Sequence, residues 1–198
     1  MSKTLYIFYV LVLTIIFFIL NNNLEEKKEI LGKENENDIS YSYYCRVNME
    51  LQLSIKGNIA PNIICRNKID TVRLSHLVQR NALLVFRHSN LHCQSCVEFV
   101  NSILDSCFFD NYDKTIILFS SDFDQIAQNY KRINKMHINM YQIEKDILSW
   151  EPEKYMNPYF FILHPDMKTS DFFMPDAKYP QLTRQYIEGI KRLICNSQ

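Results

Sequence analysis

The sequence predicts an α/β fold, a central mixed sheet layered with helices. Two observations carry this expectation. Short continuous apolar runs, Ala82–Phe86 (ALLVF) and Thr115–Phe119 (TIILF), suit strands buried on both faces. Around them lie longer stretches with apolar residues at helical spacing, and buried strands alternating with helices argue for layered packing. Hydrophobic residues make up 47% of the 198-residue chain, enough for a substantial core.

Taken from the start, Leu5–Leu20 (LYIFYVLVLTIIFFIL) is apolar on every helical face. About 16 helical residues span roughly 24 Å, short for a full span and long for the apolar core of a signal peptide. Ile19-Leu20-Asn21-Asn22-Asn23 lacks the small residues of a cleavage site. Residues 1–22 therefore read as a membrane anchor or uncleaved signal, with a removed signal segment as the alternative. The α-amino group and Lys3 precede this run, and Glu25–Asp38 after it is acidic on balance. The positive-inside rule then puts the N-terminus in the cytoplasm and the remainder outside. Residues 23–44, rich in Asn, Glu and Lys, form a polar tether, and residues 45–198 the folded domain.

Within the domain, Cys45–Ile55 alternates (Val47, Met49, Leu51, Leu53, Ile55) as a half-buried strand would. Lys56-Gly57-Asn58 is a turn signal, and Asn62–Cys65 a return strand that completes an N-terminal hairpin. Thr71–Gln79 reads as a short helix. After the strand Ala82–Phe86, a helix is expected over Gln94–Phe108, with Val97, Val100, Ile103, Leu104 and Phe108 inward. Strand Thr115–Phe119 and helix Phe123–Ile133 follow, then strands Ile138–Ile143, Pro158–His164 and Thr169–Met174. The closing helix, Pro180–Cys195, has Pro180 in its first turn and an inward stripe of Leu182, Tyr186, Ile190 and Leu193.

Charge excludes one class of function. Lys+Arg and Asp+Glu both total 22, so there is no polybasic surface for nucleic acid. Metal binding is not expected. One C-x-x-C without a second pair falls short of four ligands, and His92 and His137 do not complete a set.

The chemistry-bearing motif is Cys93-Gln94-Ser95-Cys96, at a strand-to-helix junction. A thiolate is the nucleophile in disulfide exchange, and the unpaired N–H groups and dipole of a helix N-terminus favour that anion. Cys93 takes the attacking place, and Cys96, one turn inward, the resolving place. His92 favours the thiolate when protonated, relays a proton, or simply faces solvent. Cys45 and Cys65 flank the early hairpin and are candidates for a structural bridge. Cys107 reads as a core residue, and Cys195 as free or packed.

This organisation resembles the thioredoxin superfamily over roughly Asn48 to Cys195, above all its exported, membrane-tethered (TlpA-type) bacterial members. The C-x-x-C after an apolar strand carries the resemblance, together with Asn157-Pro158 opening the strand-and-hairpin unit NPYFFILHPDMK and the hairpin segment before the domain. The resemblance implies a thioredoxin-like three-layer sandwich with an N-terminal hairpin extension and an N-terminal transmembrane segment. It implies an inner-membrane, single-pass protein whose domain faces the periplasm or cell exterior. It also implies a cis Asn157–Pro158 bond beside the sulfurs. A substrate surface of His92, Gln94, Ser95, Asn157 and Pro158 follows, with catalytic Cys93 and Cys96 and no cofactor. The implied partners are client protein thiols or disulfides, a membrane redox partner, and the membrane itself through residues 5–20.

The chain departs from the family pattern in three places. His92 stands where Trp usually precedes the first cysteine, and Gln94-Ser95 lacks the frequent Pro. Arg87 and His88 occupy the strand position where a buried carboxylate or Asn is usual. These departures support an alternative reading, a non-catalytic adaptor of the same fold that holds a structural disulfide and binds a partner protein. A thiol peroxidase is disfavoured, because no cysteine lies in a loop containing Pro and Thr.

Overall fold

The computed structural model describes residues 38–53, 57–92, 94–120, 137–145, 147–148, 150, 152–153 and 157–195. The anchor expected at Leu5–Leu20, the helix expected at Phe123–Ile133 and the attacking Cys93 lie outside the described residues. Among the described residues no helix is long and apolar enough to cross a membrane. The chain divides into two units, Met1–Val47 and Asn48–Gln198.

Helix α1 spans residues 38–53. This corrects the strand expected at Cys45–Ile55 over its described residues, 45–53, and makes residues 38–44 of the tether helical. The alternation was ambiguous because Val47 and Leu51 also stand one helical turn apart. Val47, Asn48 and Leu51 are buried, whereas Met49 and Leu53 are 62% and 75% exposed, which fits the helical period and not the alternating one. Asn48 fixes the second unit's part of the helix. Its Oδ1 accepts from the Met174 N–H at 2.7 Å, and its Nδ2 donates to the Met174 carbonyl at 3.5 Å.

An early hairpin does exist, displaced along the chain. Strands β1 (Ile64–Arg66) and β2 (Thr71–Arg73) pair antiparallel, and only Leu74–Leu77 of the expected Thr71–Gln79 helix is helical, as α2. Thr71 and Val72 are β-branched and favour the extended backbone. Asn67 closes the hairpin, accepting from the N–H groups of Ile69 and Asp70.

The remaining elements follow the expected order. They are β3 (Leu83–Ser89), α3 (Gln94–Cys107), β4 (Thr115–Ser120), β5 (Asn139–Ile143), β6 (Tyr159–Leu163), β7 (Thr169–Phe173) and α4 (Pro180–Cys195). One mixed sheet runs β2-β1-β5-β4-β3-β6-β7. Strands β3, β4 and β5 are parallel, and β6 runs antiparallel to β3. A parallel neighbour requires a crossover, which α3 supplies between β3 and β4.

The core is aromatic. Phe86 lies 4.7 Å from Phe160, ring to ring, on one face of the sheet. Phe161 stacks on Phe172 at 5.4 Å on the other, with Trp150 edge-on to both. Burying each such ring stabilises the fold by about 1.5–3 kcal/mol. Helices α3 and α4 pack against each other, and Tyr186 of α4 stacks on Phe173 at 4.5 Å and meets Phe160. The inward stripe of α4 is rotated from the expected one. Thr183, Ile187, Ile190 and Ile194 are buried and Leu193 is 55% exposed. Both stripes have helical spacing, and the isoleucine stripe is the one the packing selects.

Residues 57–60 run along the start of β7. Gly57 donates to the Thr169 carbonyl at 2.8 Å, Thr169 to the Asn58 carbonyl at 2.9 Å, and Ala60 to the Met167 carbonyl at 2.8 Å. Gly57 has φ +82, a left-handed conformation that glycine adopts without a Cβ penalty.

Candidate functional site

The site is built at the carboxyl end of β3. That strand is buried through His88, and its chain then turns sharply at residues 90–92 before α3 begins at Gln94. The turn is closed from both sides. The Ser89 N–H donates to His92 Nδ1 at 3.3 Å, and the His92 N–H donates to the Ser89 carbonyl at 3.2 Å. Asn90 donates to the Ser120 carbonyl at 3.3 Å, which ties the bend to the end of β4.

His92 is 9% exposed, so it does not face solvent. Burial, with the Arg87 cation nearby, pulls its pKa down to about 4. The ring is therefore neutral at pH 7, and the expectation of a protonated His92 supporting the thiolate is corrected. With Nδ1 accepting from Ser89, its proton resides on Nε2. His88, fully buried between the Phe86 and Phe119 rings, is neutral for the same reasons, with a pKa pulled to about 3.

Cys96 occupies the first turn of α3 and is half-buried. Gln94 and Ser95 are exposed beside it, and the Gln94 amide donates to the Glu98 carboxylate at 2.8 Å. Pro158 is buried and Asn157 exposed, immediately before Tyr159, whose register partner is Arg87. Strand register thus brings Pro158 to the same end of β3 as His92 and Cys96. The described backbone holds no cis peptide bond, so the cis Asn157–Pro158 bond is not present. The trans amide is the lower-energy form of an X–Pro bond, and the start of β6 accommodates it. Cys45 and Cys65 form no bridge; both are free thiols, as are Cys107 and Cys195. Cys65 is fully buried, and burial pushes its thiol up to about 12. Cys107 is half-buried at the end of α3 rather than in the core. No metal-binding group of His, Cys, Asp or Glu occurs among the described residues.

A half-buried carboxylate, Glu153, stands close to the bend, and no pattern in the sequence pointed to it. Arg87 is 1% exposed. Its Nε donates to Glu153 Oε1 at 2.9 Å and its Nη2 to Glu153 Oε2 at 3.1 Å. Nη2 also donates to Ser120 Oγ at 2.8 Å, and Nη1 to the His88 carbonyl. The Tyr159 hydroxyl donates to Glu153 Oε1 at 2.8 Å, and the low-dielectric surroundings hold that phenol well above its ordinary pKa. One guanidinium thus links β3, β4 and the segment before β6. The available signal was Arg87 itself, because a cation in an apolar strand requires a counter-charge at that end of the sheet.

No family model matches the chain, and no curated protein matches it. Among solved structures it is similar to a thiol:disulfide interchange protein from Bacteroides sp., at 15% identity and TM-score 0.53, over 72% of this chain and 92% of that one. It is also similar to the thioredoxin domain of a thiol-disulfide oxidoreductase from Bacteroides vulgatus, at 16% identity and TM-score 0.49, over 67% and 97% of the two chains. A peroxidoxin from Mycobacterium tuberculosis aligns at 10% identity and TM-score 0.48, over 68% and 97%. The Bacteroides sp. likeness and the mixed sheet with its helices show the fold, which is thioredoxin-like.

Proposed function

We propose that this thioredoxin-like chain is an exported thiol–disulfide oxidoreductase that exchanges disulfides with client protein cysteines through Cys93 and Cys96. The observation that carries the reading is the junction itself. A C-x-x-C motif spans the turn from a buried central strand into α3, with Cys96 in the helix's first turn and Pro158 brought alongside by register. The name of the similar Bacteroides sp. structure, a thiol:disulfide interchange protein, points the same way.

In the reductive direction the Cys93 thiolate attacks one sulfur of a client disulfide. That bond breaks, and the departing client thiolate takes up a proton. A mixed disulfide remains on Cys93. Cys96 gives up its proton and attacks the Cys93 sulfur, releasing the second client thiolate. The client gains two electrons and the protein becomes the Cys93–Cys96 disulfide. The reverse sequence oxidises a client. His92, neutral and fixed by Ser89, offers Nε2–H as a hydrogen-bond donor at the motif rather than a charge. Gln94, Ser95, Asn157 and Pro158 supply the client-facing surface. Residues 5–20 anchor the chain in an inner membrane with the domain on the periplasmic or exterior side, where a membrane redox partner resets the pair.

The test is insulin-disulfide reduction with Cys93→Ser and Cys96→Ser. Loss of turnover in both, with a mixed disulfide trapped by Cys96→Ser, supports the proposal. Unchanged turnover overturns it. A reduction potential below about −300 mV marks a structural bridge and favours the adaptor reading instead.

A further inference from the structure

We propose that the groove at the β2–β1–β5 margin of the sheet binds a phosphate monoester with an apolar body, its phosphate held by Arg66 and Arg73. This site stands apart from the exchange chemistry and does not rest on it.

Strand register builds the site. Arg66 of β1 pairs with Thr71 of β2 on one side and with Gln142 of β5 on the other, and Ile64 pairs with Arg73. Cys65, between Ile64 and Arg66, is fully buried on the opposite face. Arg66 and Arg73 are therefore diagonal neighbours on the outward face, with Cα atoms about 7–8 Å apart. Both are exposed, and among the described residues neither guanidinium has a hydrogen-bond or ion-pair partner. Surface charges elsewhere are matched, as Lys168 is by Asp166 at 2.8 Å. Two like charges in diagonal register repel each other, and a bound anion removes that cost.

The arginines line a groove of about 520 Å³, a volume within the range of small-molecule sites. Its other lining charges, Lys145 and Glu144, are opposite in sign, so the arginines set the sign of the groove. Two guanidinium charges match the two of a phosphate monoester, and each planar fork fits phosphate oxygens. Asn62 lines the groove too, and its Oδ1 accepts from the Ser75 N–H at 3.1 Å, leaving its amide hydrogens as donors. The lining is also apolar. Ile63 and Ile143 face the same groove at 4% and 3% exposure, a surface that an inorganic ion leaves wet and an apolar body covers.

Position agrees with this reading. Ile143, the last residue of β5, is level in register with Ser120 and Ser89. The groove therefore opens at the same end of the sheet as the β3–α3 bend, the end beyond which open α/β sheets place their ligands. One row of partners runs His88, Phe119, Gln142, Arg66. Three strand spacings of about 4.8 Å thus separate Arg66 from β3, and the two sites are distinct.

The experiment titrates phenyl phosphate into the full-length protein by calorimetry, in phosphate-free buffer at about pH 8, where a phosphate monoester carries two charges. Saturable binding at one site is expected. Arg66→Gln and Arg73→Gln each weaken it by about tenfold or more, the scale of one charge-assisted hydrogen bond. Arg184→Gln, at an exposed position of α4, leaves it unchanged. Benzoate keeps the ring with a single charge, and inorganic phosphate keeps the charge without the ring. Each binds the parent about tenfold more weakly than phenyl phosphate, or not at all. These ligand comparisons need no variant, so they decide the matter should a substitution disturb folding. Absence of saturable phenyl phosphate binding up to about 10 mM overturns the proposal. Parent-like affinity in both arginine variants overturns it as well, as does benzoate or inorganic phosphate binding as tightly as phenyl phosphate.

Discussion

Arg87 and Glu153, 66 positions apart in sequence, meet through two parallel hydrogen bonds of 2.9 and 3.1 Å. A two-point guanidinium–carboxylate contact fixes direction as well as distance. With Arg87 at 1% exposure, removing its partner leaves a buried cation uncompensated. Glu153→Ala is expected to cost about 3–5 kcal/mol, and Tyr159→Phe, which removes one hydrogen bond to the carboxylate, about 1–2 kcal/mol. Urea unfolding followed by the single tryptophan, Trp150, measures both. Equal, sub-kilocalorie effects would show that the pair does not hold the segment before β6.

Acid weakens the fold through two buried histidines, His88 of β3 and His92 of the bend. Folded, His88 and His92 accept protons only near pH 3 and pH 4, whereas unfolded imidazoles do so near 6.5. Between those values the unfolded chain binds more protons, so stability rises with pH and levels off above about 7. Each histidine contributes a slope of up to about 1.4 kcal/mol per pH unit within its window. Urea midpoints at pH 5, 6 and 7 should rise in that order, and His88→Phe should flatten the trend. A midpoint that does not change over this range would contradict the burial of both rings.

Cysteine accessibility divides sharply. Cys65 is fully buried with its thiol pushed up to about 12, and Cys45 on α1 is exposed. At pH 8 roughly one Cys65 in ten thousand is ionised, against about a quarter of ordinary thiols. Brief alkylation of the native protein should label Cys45 and spare Cys65, and labelling of Cys65 should appear only on unfolding. Mass spectrometry reads both sites in one digest.

Asn48 is expected to be costly to remove. Its amide makes both hydrogen bonds with the backbone of Met174, and both residues are buried. Asn48→Ala leaves an N–H and a carbonyl without these partners, at about 1–3 kcal/mol. A thermal melt compared with Met49→Ala, on the exposed face of the same helix, isolates this loss. Similar melts for the two variants would argue against it.

The parts legible in the sequence were those where burial alone sets the pattern. ALLVF and TIILF form strands because both faces are covered, and the helix after the motif has a single apolar stripe. The early hairpin was misplaced because Val47 and Leu51 satisfy period two and period four alike, and only tertiary packing chooses between them. Leu193 was expected inward and Ile194 was not, for the same reason of two competing stripes. Glu153 was invisible for a different cause. Its partner is 66 residues away, and a carboxylate in a short irregular segment carries no periodic signal. Of the motif residues, Cys96 lies in the first turn of α3 and Pro158 follows a trans peptide bond rather than the cis one the resemblance implied, while His92 proved buried.

Exposed sheet edges invite strand addition from other molecules, and proteins that cannot hide them risk fibril growth. The stretch from Gly57 to Ala60 already occupies hydrogen-bonding groups at the beginning of β7. At the opposite margin β2 offers three residues, Thr71-Val72-Arg73, too few to template a long ladder and carrying a charge. Both margins of the sheet therefore leave little free backbone for another strand to add to.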